Sequence, residues 1–329
     1  MERAKRKIFF RADAGRGIGY GHFIRSLALA DMLRNEFECV FFTQSPSEYQ
    51  QREAQKVCPL IGLPSDDSKF DRFLDCLMGG EIVVLDNYFY TSEYQRQIKD
   101  KGCKLVCIDD MHDRHYYADL IINQGLGYTA SDYLCEDYTR FAFGLEYALL
   151  RKPFLYASEN NRQRKDVYKS EDLSVLVSFG GSDFLDLTSK VIDSVVGIRT
   201  VARVIAIVGD SYQTSHRIID SKVEYQKNLS AFELSSLFLS VDCAILPAST
   251  IMNEALACST SIIGGYYIDN QEHDYYSLLQ NNLIMGAGDY TDIEAMDRVA
   301  YCVHKISRNC ECAIPSDIQT RIIDLFKAL

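Results

Sequence analysis

The stretch from Arg11 to His22 reads RADAGRGIGYGH, with glycine at 15, 17, 19 and 21 and a histidine directly after the last. Lying between an apolar run and a helical one, it supports two kinds of chemistry. Glycines admit positive φ and let backbone N–H groups approach an anion. A histidine at a helix start sits at the positive end of the helix dipole, which favours the neutral ring that a general base requires. The spacing is neither the G-x-G-x-x-G of a dinucleotide site nor the Lys-Ser/Thr ending of a P-loop. A tight turn without a ligand and a satisfied structural histidine are the plain alternatives. Gly19 and Gly21 are thus candidates for close approach to a ligand, and His22 for a proton acceptor.

Three later turns have the same grammar of strand, polar turn and helix. VSFGGSD (177–183) offers Gly180 and Gly181, with Ser182 and Asp183 as helix N-cap types. AILPASTIMNEALA places Ser249 or Thr250 at a helix start and Asn253 and Glu254 one turn in. Glu254 is suited to accept from sugar hydroxyls, and Asn253 to read amides or hydroxyls. An ordinary capping box is the alternative there. GGYYIDNQEHD carries Asn270 and Gln271, which could equally be a helix cap. Together these turns could hold a diphosphate on backbone donors and helix ends rather than on lysines, in keeping with a net charge of −11.

The elements that must position these residues are short apolar runs alternating with helical segments. KIFFRA, CVFFT, EIVVLD, KLVCID and DLIIN are expected strands in the first half, and LSVLVSFGG, RVIAIVGD, VEYQ, DCAILP and TSIIGG in the second. Helical segments such as HFIRSLALADMLR, SEYQRQIKD, FELSSLFLS and TIMNEALAC separate them. In the first, Phe23, Leu27 and Ala30 share one face. The polar, aperiodic stretch from about Phe154 to Asp172 reads as a linker and contains the one basic cluster, RQRK at 162–165. The expected architecture is α/β, two Rossmann-like doubly wound domains facing a cleft, with boundaries at 1–155 and 173–329. The last helix can pack back on the first domain.

At 329 residues the chain is long enough for two cores, and its 47% apolar content is that of a globular protein. No apolar run reaches the ~18 residues of a membrane span, and the basic N-terminus lacks the apolar core of a signal peptide. Scattered basic residues argue against a nucleic-acid partner. Eleven cysteines, mostly in apolar segments, read as reduced thiols, and the Cys310–Cys312 pair lacks zinc-site spacing. A cytoplasmic location follows from that reading, and a monomer is compatible with it. Asp13, Asp109 and Asp110 stand at strand ends in the first half, free to orient His22, to contact a ligand or to serve as turn residues, with Arg11 and Arg25 to balance them. His112 and His115 read as solvated loop residues.

The ordered set IGYGH, VVLDNY, CIDDMHDRHYYADLIINQ, VSFGGSD, STIMNEA and DNQE is similar to one family. It resembles the UDP-sugar hydrolases of pseudaminic acid biosynthesis, which act on UDP-2,4-diacetamido-2,4,6-trideoxy-β-L-altropyranose. These in turn resemble the GT-B glycosyltransferases, such as the N-acetylglucosaminyltransferase of peptidoglycan synthesis. The likeness runs from about Lys7 to Gln280. It implies a GT-B-like fold and hydrolysis of an anomeric C–O bond with inversion. It also implies a small-molecule UDP-sugar substrate and neither cofactor nor metal. By position it makes His22 the base and gives Tyr88 of DNY a part in orienting water or sugar. It assigns Asn253 and Glu254 to the nucleoside. Gly180, Gly181 and Ser182, then Ser249 and Thr250, then Asn270 and Gln271 are the other UDP-binding turns. PAST at 247–250 departs from the more glycine-rich version of many relatives. A GT-B glycosyltransferase, a non-catalytic nucleotide-sugar-binding protein and a hydrolysing UDP-sugar 2-epimerase are the alternatives.

Overall fold

The computed structural model describes residues 5–15, 19–160, 172–180, 183–209, 212, 217–307 and 311–329. Gly17, Gly181, Ser182, Cys310 and the RQRK cluster lie outside them. The chain divides into two compact units, Met1–Lys152 with Asp317–Leu329, and Pro153–Ser316.

The first unit contains β1 (Lys7–Arg11), β2 (Glu38–Gln44), β3 (Leu60–Leu63), β4 (Ile82–Leu85), β5 (Lys104–Ile108), β6 (His115–Tyr116), β7 (Leu120–Asn123), β8 (Leu134–Cys135) and β9 (Arg140–Phe143). Seven of these form one sheet in the order β3-β2-β1-β4-β5-β7-β9, and β6 pairs with β8 apart from it. All of the seven pair in parallel. Every residue of IVVL in β4 and of LIIN in β7 is buried, as strands covered on both faces require. Strand order reverses between β1 and β4, so the crevice at their carboxyl ends is the expected place for a ligand.

The helices of this unit are α1 (Gly21–Leu33), α2 (Glu48–Ala54), α3 (Ser68–Leu74) and α4 (Ser92–Asp100). Ser47 and Gln50 form a reciprocal capping box on α2, and Thr91 caps α4. Most of α1 is buried, beyond the single face the sequence suggests. The reason is the chain's last helix. Gln319 donates to the Met32 carbonyl at 3.0 Å, Phe326 meets Phe37 at 6.3 Å, and Lys327 pairs with Glu36 at 2.8 Å. With a helix over its outer face, α1 is fixed as the platform for the residues at its start.

The second unit opens with α5 (Lys152–Asn160), which corrects the expected linker over its first part. Phe154, Leu155 and Ser158 lie on its buried side, and Phe154 packs on Phe238. Its strands are β10 (Leu173–Ser178), β11 (Val201–Ile207), β12 (Val223–Gln226), β13 (Cys243–Pro247), β14 (Ser261–Tyr266) and β15 (Met285–Asp289). They run parallel in the order β12-β11-β10-β13-β14-β15. The helices are α6 (Leu187–Val196), α7 (Ala231–Ser240), α8 (Thr250–Ala257), α9 (Glu272–Gln280) and α10 (Ala295–Lys305), and α11 (Ile318–Lys327) is the helix already met on α1. Gly265 is required by close approach, since a Cβ there would stand 2.5 Å from the Gly288 carbonyl oxygen. Among the described residues no helix is long and apolar enough to cross a membrane, and no disulfide joins the cysteines.

Candidate functional site

His22 is the second residue of α1, and Arg25 and Ser26 follow it at the three- and four-residue spacings that share one helix face. All three side chains converge on Asp86, the residue after β4. His22 Nδ1 lies 2.7 Å from Asp86 Oδ1. Arg25 grips both carboxylate oxygens, Nη2 to Oδ1 at 2.6 Å and Nε to Oδ2 at 2.8 Å, and Ser26 Oγ donates to Oδ2 at 2.9 Å. Asp86 is 1% exposed. Burial by itself would raise its pKa, but Arg25 and His22 outweigh that and hold the carboxyl down to about 2. An ionised carboxylate at this distance assigns the proton of His22 to Nδ1, because two facing lone pairs would repel. Nε2 is then the ring atom left to accept a proton.

Arg25 carries the network further, with Nη1 donating to Asp110 Oδ2 at 2.9 Å. Burial opposes its charge, yet Asp86 and Asp110 together keep its pKa well above the ordinary value. Tyr88 lies edge-on to the His22 ring at 4.6 Å and is 40% exposed, whereas His22 is 7% exposed. Burial first, and then the charge of Asp110, push the Tyr88 hydroxyl up, so it is a neutral phenol at pH 7. Arg114 fixes the loop that carries Tyr88. Its Nη2 donates to the Tyr88 carbonyl at 2.7 Å and its Nη1 to the Tyr90 carbonyl at 2.6 Å.

These contacts decide among the alternatives for the strand-end carboxylates and correct the reading of His115. None of Asp13, Asp109 and Asp110 orients His22; Asp86 does. Asp13 is buried in a bidentate pair with Arg11 and accepts from Gln44 N at 2.7 Å, tying β1 to β2. Asp109 accepts from the backbone of Met111 and His112, a turn role. His115 is not simply solvated, since its Nε2 meets Glu136 Oε1 at 2.8 Å. Of the glycines ahead of His22, Gly19 has φ +80° and pairs with Gly15 in a small antiparallel bridge, while Gly21 is the first residue of α1. The N-cap residue of α1, Tyr20, makes no side-chain capping bond. The missed residue left a signal: buried polar side chains at 22, 25 and 26, on one face of a largely apolar helix, require a buried polar partner.

In the second unit, β10, β13 and β14 are neighbours, so the turns after them lie side by side at the carboxyl end of the sheet. The three helix starts there differ. At α6, the Asp183 carboxylate already accepts from Leu187 N at 2.8 Å and Thr188 N at 2.9 Å, so this end is filled by the protein's own anion. Gly180 precedes it with φ +79°. At α8, the alternative of an ordinary capping box is not met. Ser249 is the N-cap residue but its side chain makes no capping bond, and Thr250 is the first helical residue. Asn253 is half-buried and Glu254 is buried. In the turn after β14, Gln271 is buried and its Oε1 accepts from Tyr267 N at 3.3 Å, while Asn270 is half-buried.

No family model matches the chain. It is 24% identical over 279 residues to the UDP-2,4-diacetamido-2,4,6-trideoxy-beta-L-altropyranose hydrolase of Campylobacter jejuni, covering 81% of this chain and 93% of that protein. Among solved structures, UGT89C1 of Arabidopsis thaliana aligns over 98% of this chain and 94% of its own, with a TM-score of 0.62 and 11% identity. Alr3699/HepE of Anabaena, solved in complex with UDP, aligns over 98% of this chain and all of its own, with a TM-score of 0.59 and 11% identity. The resemblance to the hydrolase family therefore extends through most of the chain, and the fold is GT-B, built from two Rossmann-like domains.

Proposed function

We propose that this protein hydrolyses the anomeric C–O bond of a UDP-diacetamido-trideoxyhexose, releasing UDP and the free sugar for nonulosonic (pseudaminic) acid synthesis. The observation that carries the proposal is the His22–Asp86 pair at the crevice between β1 and β4. Asp86 holds Nδ1–H, so Nε2 takes a proton from water while the water oxygen bonds to the anomeric carbon. The C–O bond to UDP breaks in the same step, and its electron pair leaves on the β-phosphate oxygen. Attack opposite the leaving group inverts the anomeric centre. Tyr88, neutral and beside the imidazole, donates to the water or to a sugar oxygen.

The second unit's part is to receive UDP. First-turn amides of α8, to which the N-cap Ser249 side chain makes no bond, offset the charge that develops on the diphosphate. Asn253 and Glu254, one turn further along α8, bind the nucleoside, and the turns at Gly180 and at Asn270–Gln271 border the site.

A glycosyltransferase would use the same parts with a sugar or lipid hydroxyl in place of water. The test is incubation with the diacetamido donor, no acceptor and EDTA, followed at once by NMR. Hydrolysis predicts UDP and free sugar in equal amounts, with the inverted anomer formed first. UDP release only when an acceptor alcohol is added would overturn the hydrolase reading in favour of transfer.

A further inference from the structure

Arg25 is bridged between two carboxylates, on the turns that follow β4 and β5. Its Nη2 donates to Asp86 Oδ1 at 2.6 Å and stands 3.2 Å from His22 Nδ1, while its Nη1 donates to Asp110 Oδ2 at 2.9 Å. Asp110 has no other ion pair among the described residues, and its Oδ1 is buried there without a hydrogen-bond partner. No second cation offsets its charge within that set, so the charge bears on Arg25.

The balance of these charges decides what His22 can carry. Asp86 and Arg25 by themselves sum to zero. A proton arriving at Nε2 would then put an uncompensated positive charge on a ring 7% exposed, with a guanidinium nitrogen 3.2 Å away. A buried charge without compensation is costly. With Asp110 counted, two carboxylates and one guanidinium sum to −1 before protonation and to zero after it. The remaining groups leave that sum as it is. Tyr88, edge-on to the ring from the turn after β4, is a neutral phenol, pushed up by burial and then by the charge of Asp110. At the end of β1, Arg11 and Asp13 pair with each other, with Lys69 3.8 Å from Asp13, and none of the three is bonded to His22, Arg25 or Asp110.

We infer that Asp110 is a positioning residue that acts on His22 through Arg25, offsetting the guanidinium charge so that the imidazole can hold the proton it takes from water. This deepens the general-base reading of His22 and rests on it for the use to which the proton is put. Asp86 fixes the tautomer and aim of the ring, and Asp110 completes the charge that lets the ring become an imidazolium. A carboxylate that only closed a turn, or only received a sugar hydroxyl, would leave the protonation of His22 unaltered when its charge is removed.

The experiment is an NMR titration of the histidine ring signals in substrate-free protein, with the His22 signal, one of six, assigned by its loss in His22→Gln. It compares wild type with Asp110→Asn, Asp110→Ala and Asp110→Glu. Asparagine keeps an oxygen for Arg25 Nη1 but no charge, and glutamate keeps the charge. The expected result is a His22 titration midpoint lower by about 0.5–1 pH unit in the Asn and Ala variants, less than the ~1–3 units of a charge in direct contact, and near wild type in the Glu variant. With the diacetamido donor, the acid limb of the kcat/KM profile moves in the same direction. An unmoved midpoint in folded Asp110→Asn or Asp110→Ala protein would overturn the inference, whatever happens to KM. A midpoint that moves as expected in a protein that releases no UDP from any donor would uphold it and defeat the UDP-sugar reading instead.

Discussion

Replacing Asp86 by Asn separates the orientation of His22 from every other part of the site. The carboxylate accepts from His22 Nδ1, from two nitrogens of Arg25 and from Ser26 Oγ. An amide has one acceptor oxygen and presents N–H to at least one of these donors. Breaking a buried ion pair from one side typically costs about 3–5 kcal/mol. Arg25 keeps its bond to Asp110, so the lower end, about 3 kcal/mol, is expected. In a domain of this size that is a fall in Tm of roughly 6–12 °C. The larger effect is on chemistry. With Nδ1–H no longer held, the imidazole loses both its tautomer and its aim, and kcat falls by about 100- to 10,000-fold, the usual share of a general base. UDP affinity is unchanged, because the groups proposed to bind it are in the other unit. The assay combines UDP release under saturating donor, calorimetry with UDP and thermal unfolding. A folded Asp86→Asn protein with wild-type kcat would refute the role of Asp86. Loss of UDP affinity parallel to the loss of kcat would refute the division of labour between the units.

Two further predictions concern the acid titration of Asp86 and the start of α6. Because the Asp86 pKa is depressed to about 2, its ion pair stabilises the fold fully above the ordinary carboxylate value and is lost as pH falls from about 4 through 2. This contributes on the order of 2 kcal/mol, visible as a steeper acid loss of stability in wild type than in Asp86→Asn when unfolding is measured at pH 6, 4 and 2.5. Replacing Asp183 by Ala removes the carboxylate from the first amides of α6 and costs about 1 kcal/mol in urea unfolding. UDP affinity is retained in that variant; a large loss would move the phosphate site from α8 to the Gly180 turn.

The strands that sequence reasoning finds are those whose cores are uniform, such as IVVL of β4 and CAILP of β13. It misses β15, Met285–Asp289, because MGAGD carries no branched residues to mark it. Its glycines answer a demand visible only in three dimensions, for a Cβ on Gly286 would lie 2.5 Å from the Tyr275 hydroxyl. α5 is lost in a polar stretch for a similar reason, since its buried side faces a partner, Phe238, that is distant in sequence. At the site, His22 stands out by residue type and context and Tyr88 through the family resemblance, and the structure brings their rings together. Asp86 does not stand out, because a lone Asp after an apolar run also fits an ordinary turn. Its function becomes legible only when α1 is laid on the sheet and three polar side chains from one helix face need a common acceptor.

Substitution of His22 by Gln tests the central claim most directly, with UDP release from the diacetamido donor measured beside UDP binding. The account predicts that turnover falls at least about 100-fold while UDP binds as in wild type. Release of UDP at the wild-type rate from the His22→Gln protein would contradict it.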